Sequence, residues 1–141
     1  MPNRIFVDTL FVIALVNSRD QYHARAAALA DQYDGHPLLI TDAVLLEIGN
    51  ALARNHKREA IEIIEQFLGS ESNGIDVVRL TPELFAQAVD LYRSFQDKAW
   101  GLVDCVSFVV MRHAGITDAL TFDRYFAQAG FNILMGDNTP A

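Results

Sequence analysis

Cysteine is nearly absent: Cys105 stands alone, so no internal disulfide can form and a small stapled, secreted scaffold is excluded. A lone thiol suits a reducing compartment, and a cytoplasmic location is expected. Long apolar runs are missing too. Leu10 to Val16 is the longest near the N-terminus, far short of the roughly 18 residues a membrane helix needs, so no membrane association is expected. That run also lacks the basic leader and small-residue cleavage pattern of a signal segment. Positive charge is scarce: 11 basic residues, with Lys57 and Lys98 the only lysines, face 18 acidic ones for a net −7. The sign is wrong for a broad nucleic-acid surface, and no basic recognition helix is present, which disfavours a helix-turn-helix DNA binder. Two bound divalent cations would bring the charge to −7 + 4 = −3. No linker, internal repeat, low-complexity tract or charge block interrupts the chain.

What is present is enough for a folded core. Of 141 residues, 51% are hydrophobic and 21% charged, which excludes disorder by composition, and one domain spanning 1–141 is expected. Short apolar runs alternate with longer helical patterns. Ile5-Phe6-Val7 reads as a strand ending at Asp8, with Thr9 as an N-cap hydroxyl for a helix from about Leu10 to Asn17. Ala-rich His23 to Tyr33 reads as a second helix and Leu38 to Ile40 as a second strand. Thr41 or Asp42 then caps a helix whose apolar stripe is Val44, Ile48, Ala51 and Leu52, with Glu47, Asn50 and Arg54 together on its edge. Ile61, Ile64 and Phe67-Leu68 mark another helix, stopped by a loop from Gly69 to Gly74. Ile75 to Leu80 reads as a strand. Thr81-Pro82-Glu83 starts a helix with Leu84, Phe85, Ala88, Leu91, Tyr92 and Phe95 on one face. Leu102 to His113 is apolar nearly all round, hence a buried helix. Ile116 to Thr121 and Phe131 to Met135 are strand candidates around a helical Arg124 to Ala129. This alternation predicts an α/β fold, a three-layer α/β/α sandwich with a mostly parallel central sheet. Ligands bind beyond the carboxyl ends of such strands, where Asp8 lies and Asp123 is expected.

Four carboxylates stand out by their neighbours: Asp8 after the first strand, Glu47 beside a core stripe, Asp104 among Leu102, Val103, Cys105 and Val106, and Asp123 after Leu120-Thr121-Phe122. Each alone is compatible with a helix cap or a solvated acid. Asp104 strains that reading, because an unpaired buried carboxylate is costly or protonates. Were the four to converge, their repulsion would be relieved by a hard cation with oxygen ligands, Mg²⁺ or Mn²⁺. Zn²⁺ fits poorly, since Cys105, His23, His36, His56 and His113 show no ligand spacing.

The segments Phe6-Val7-Asp8-Thr9, Glu47-x-x-Asn50-x-Leu52, Asp104-Cys105-x-Ser107-Phe108-x-x-Met111 and Ala119-Leu120-Thr121-Phe122-Asp123 resemble PIN-domain ribonucleases, a family that includes the VapC-type toxins. The similarity runs in order from about Ile5 to Phe131. It implies a PIN-like fold, metal-dependent endoribonuclease activity leaving 5′-phosphate and 3′-hydroxyl ends, frequent homodimers, and an antitoxin protein partner. By position, Asp8, Glu47, Asp104 and Asp123 match the family's acidic quartet, Asn50 its helix Asn and Thr121 its hydroxyl before the last acid; Thr9 joins them as a supporting hydroxyl. Leu10, Gly101 and Val103 depart from the pattern, standing where many members carry polar side chains. On this resemblance Asp8 and Asp104, with Glu47 assisting, would hold one Mg²⁺ and Asp123 would serve a second or orient the first. Candidate RNA contacts are Arg54, Lys57 and Arg58, the densest basic cluster, with Arg112 and Arg124 near the third and fourth acids. Each also reads as a solvated or helix-end charge. Trp100 either stacks a base or packs beneath its loop, the latter being the commoner use of tryptophan, and the four histidines read as non-catalytic. The alternative is a non-catalytic PIN-like module that binds RNA or a protein. A receiver-like phosphoacceptor is disfavoured because Asp8 has no acidic neighbour and no lysine sits late in the chain.

Overall fold

The computed structural model describes residues 3–70 and 73–136, so the expected loop from Gly69 to Gly74 falls partly outside the described residues. Five strands form one sheet: β1 (Ile5–Val7), β2 (Leu38–Thr41), β3 (Ile75–Val78), β4 (Asp118–Leu120) and β5 (Asn132–Ile133). Their spatial order is β3-β2-β1-β4-β5 and every pairing is parallel, with Phe6 opposite both Leu39 and Ala119. The helices are α1 (Thr9–Val16), α2 (His23–Gln32), α3 (Asp42–Leu52), α4 (Lys57–Leu68), α5 (Pro82–Ser94), α6 (Leu102–Ala114) and α7 (Arg124–Gln128). In one group α1 packs on α2 and α3, and α3 on α4; in the other, α6 packs on α5 and α7. The sheet is thus the middle of a three-layer α/β/α sandwich, with all strands parallel.

Parallel strands covered on both sides must be apolar throughout, and all three residues of β1 are buried. The centre of the core is aromatic. Phe108 of α6 meets Phe126 of α7 edge-on at 5.0 Å, and Phe126 lies 6.1 Å from Phe6 of β1. α6 is the buried helix its composition predicts, with Cys105 to Met111 all inside. Two threonine caps form as predicted: the Thr41 and Thr81 hydroxyls accept from the backbone N–H of Val44 and Leu84, each at 3.1 Å.

Several expectations need correction. Thr9 does not cap α1; it is that helix's first residue, and Asp8 occupies the cap position without a side-chain cap bond. β3 stops at Val78, β4 spans only Asp118–Leu120, and β5 only Asn132–Ile133. Ala51 is exposed rather than part of the α3 stripe, where Leu45 is buried instead. The α5 stripe splits. Leu84 and Ala88 are buried, whereas Phe85, Tyr92 and Phe95 are 46%, 50% and 39% exposed, because apolar spacing marks a face without saying what covers it.

Candidate active site

Asp8 is set where β1 passes into α1, and Asp123 where the chain leaves β4 and caps α7 through its side chain, which accepts the Tyr125 N–H at 2.9 Å. Because β1 and β4 are neighbours, these two carboxylates share one end of the sheet. Glu47 reaches that end from α3. Asp104 does so from the first turn of α6, where its Oδ2 accepts the Gly101 N–H at 2.9 Å. All four, with Thr9, Leu10, Ile13, Asn50 and Ala51, line one open pocket of about 570 Å³. Ile13 and Ala51 were not singled out for the site in sequence; Ala51, four residues after Glu47, lies on the helix face that Glu47 marks.

Threonines organise the carboxylates. The Thr121 hydroxyl, fully buried, donates to Asp8 Oδ2 at 2.8 Å and accepts the Asp123 N–H at 3.0 Å, so one side chain ties the first acid to the backbone of the fourth. The Thr9 hydroxyl, freed from capping, donates to Glu47 Oε1 at 2.7 Å.

Charge is left unbalanced. Asp8 is only 4% exposed, and burial pushes its carboxyl up to about 7; Asp104 and Asp123 add to the rise, while the Thr121 bond opposes it. Asp104 is raised to about 6, chiefly by burial and further by Asp123 and Glu47, against the lowering effect of the Gly101 N–H. Burial also raises Asp123. No lysine, arginine or histidine lines the pocket.

An all-oxygen donor set of four carboxylates beside an Asn amide fits a hard divalent cation in chemistry. In their present rotamers the acids face their own backbone and threonine partners. Among the described residues, no group of three or more His, Cys, Asp or Glu is drawn tightly enough to hold an ion.

The other sequence candidates lie elsewhere. Arg124 opens α7 beside Asp123 and is exposed. Arg54 follows the end of α3, and Lys57 and Arg58 start α4; all three are exposed and none lines the acidic pocket. Arg112 is not near the third acid. Two turns of α6, about 12 Å, separate it from Asp104, and its guanidinium lies 5.9 Å from the Phe131 ring while donating to the Ala129 carbonyl. Trp100 packs rather than stacks a base: it is 6% exposed, donates its indole N–H to Gln128 Oε1 at 2.9 Å, and meets Phe108 edge-on. His23 and His36 bind backbone carbonyls, and none of the four histidines lines the acidic pocket.

The PIN domain family model matches residues 5–132. The chain belongs to the PIN-domain family. Among its relatives is the 23S rRNA-specific endonuclease VapC20 of Mycobacterium tuberculosis, in strains CDC 1551 and H37Rv alike, 35% identical over 129 residues and covering 90% of this chain and 95% of the relative. The crystal structure of the same organism's VapC20, described as a Sarcin-Ricin loop cleaving toxin, superposes with a TM-score of 0.80 at 32% identity, covering 90% of this chain and 95% of that one. This PIN domain is therefore VapC-like in sequence and in fold.

Proposed function

We propose that this VapC-like PIN domain is an endoribonuclease that hydrolyses RNA phosphodiester bonds at the acidic pocket, and that it is the toxin of a toxin–antitoxin pair. The observation that carries the reading is the lining of one pocket by Asp8, Glu47, Asp104 and Asp123 with no protein cation among them. Mg²⁺ or Mn²⁺ would be held by Asp8 and Asp104 with Glu47 and Asp123 assisting, and supplies Lewis-acid polarisation of the phosphoryl group and acidification of water. The chain's own part is positional. Thr121 donates to one oxygen of Asp8, Thr9 to one of Glu47 and the Gly101 N–H to one of Asp104, which fixes how these three carboxylates are presented to a ligand. Leu10 and Ile13 supply apolar surface to the pocket lining.

RNA is the substrate class, as it is for VapC20, and the small stock of cations favours a folded RNA gripped at few phosphates. Protein partners complete the reading: a second copy of the chain and an antitoxin. Apolar side chains exposed on α5 (Phe85, Tyr92) and on α3 and α4 (Leu46, Ile61) support such partners. Action on cellular RNA supports a cytoplasmic location for it; no helix of the described residues is long and apolar enough to cross a membrane. The test is cleavage of total RNA by the purified chain, with and without chelator, beside Asp104→Asn. Loss in both arms is the expected result. Cleavage that survives both would refute the metal mechanism, and binding without any cleavage would favour the non-catalytic alternative.

A further inference from the structure

A second opening is lined by the residues on either side of Asp123, Phe122 and Arg124. It measures about 770 Å³ and is lined chiefly by Tyr22, Phe122, Arg124, Gln128, Ile133 and Met135. Phe122 and Arg124 each lie one residue, about 3.8 Å of backbone, from Asp123. Tyr22, in the connection between α1 and α2, stacks on Phe122 with ring centroids 3.9 Å apart and planes 18° from parallel. Both rings are half-buried, so the pair is a fixed platform with part of its surface open to the pocket. Arg124 is exposed and makes no ion pair among the described residues. Gln128 accepts the Trp100 indole N–H through its carbonyl oxygen, which turns its NH₂ to other partners.

We propose that this opening is a nucleotide subsite: the base next to the scissile phosphate stacks on the Tyr22–Phe122 pair while its own phosphate pairs with Arg124. The inference rests on the endoribonuclease reading and extends it to how a strand is held. Two features select a nucleotide over a peptide segment. A planar aromatic pair beside one guanidinium matches a base and its phosphate, and its members Phe122 and Arg124 flank Asp123, one of the carboxylates that line the acidic pocket. Stacking also grips a strand without many cations, which suits a chain of net charge −7.

The full chain carrying Asp104→Asn, to prevent turnover, is titrated with a short single-stranded oligoribonucleotide. Binding is followed by fluorescence polarisation and the ring resonances of Tyr22 and Phe122 by NMR. The expected result is a shift of both rings on binding, with about 10-fold weaker affinity when Tyr22→Leu is added and recovery with Tyr22→Phe. Arg124→Ala should weaken binding and lower the slope of log affinity against log salt by about one. Ring signals that stay silent while the oligonucleotide binds, or that respond only to an antitoxin-type peptide, overturn the subsite, as does unchanged affinity in Tyr22→Leu. The readouts separate the two ideas. Silent rings in a chain whose unsubstituted form cleaves RNA refute the subsite alone, whereas absence of cleavage by the unsubstituted chain refutes the nuclease reading whatever the rings do.

Discussion

The two ends of α6 are built on opposite terms. At its C-terminus the helix is well finished. Gly115 takes the left-handed conformation at φ 68°, Ile116 N–H closes back on the Met111 carbonyl at 2.9 Å, and Arg112 places positive charge at the negative end of the dipole while resting on Phe131. At its N-terminus Asp104 satisfies one backbone N–H, yet it faces three other carboxylates across a pocket without a protein cation. The helix dipole favours an acid there, yet burial, with Asp123 and Glu47 adding to it, keeps the carboxyl raised to about 6. One helix thus contrasts an end whose charge is matched with an unfinished end whose charge is not.

Substitutions should divide along that line. Asp104→Asn is isosteric and removes charge from the unfinished end; RNA cleavage should fall by well over the ~10–100-fold that losing a group supporting a metal ligand costs. Retained cleavage in a gel assay would erase the distinction between the two ends. Next in size, Thr121→Val deletes the hydroxyl that joins Asp8 to Asp123 and should lower cleavage by roughly 10–100-fold, with Thr121→Ser largely restoring it. Equal losses in both variants would mean that packing, not the hydroxyl, matters.

A third contrast is thermal. Asp8 has a carboxyl raised to about 7 in the fold against 3.8 when exposed. Between those values the native state binds more protons than the unfolded one, so in metal-free protein this group's contribution to stability falls as pH rises from about 4 to about 7, then levels off. Asp8→Asn should raise the neutral-pH melting temperature of metal-free protein, by a free energy of up to a few kcal/mol, and flatten that part of the pH profile. An unchanged melting curve at pH 7.5 would show that the pocket is not strained. Smallest is Arg112→Ala at the finished end: roughly 1 kcal/mol of stability is lost, read by urea titration, while cleavage stays at its starting level.

Much of this architecture was readable in the order of residues. β1 and β2 declared themselves because parallel strands buried on both faces must be continuously apolar, and Thr41 and Thr81 announced helix starts through local chemistry that needs no tertiary context. The four acids could be picked out by their apolar surroundings, and the family resemblance supplied their grouping. Their hydrogen-bond partners could not be read. Thr9 looks like a cap by every local rule, but Glu47, 38 residues away, takes its hydroxyl. Arg112 looks close to Asp104 in sequence, and only the straightness of a buried helix shows that it is not. Tyr22 and Phe122 carry no signal at all, since a stack between residues 100 positions apart exists only once the sheet has formed.

The bond from Thr121 to Asp8 spans 113 positions and lies next to the ladder joining the first and fourth strands. Order of synthesis therefore matters. A chain emerging from the ribosome displays its first acid early, but that acid has neither its hydroxyl tether nor the fourth strand beside it until residues 118–121 have been made. A half-made molecule accordingly lacks the full acidic pocket, which closes only when the fourth strand pairs with the first and Thr121 reaches Asp8.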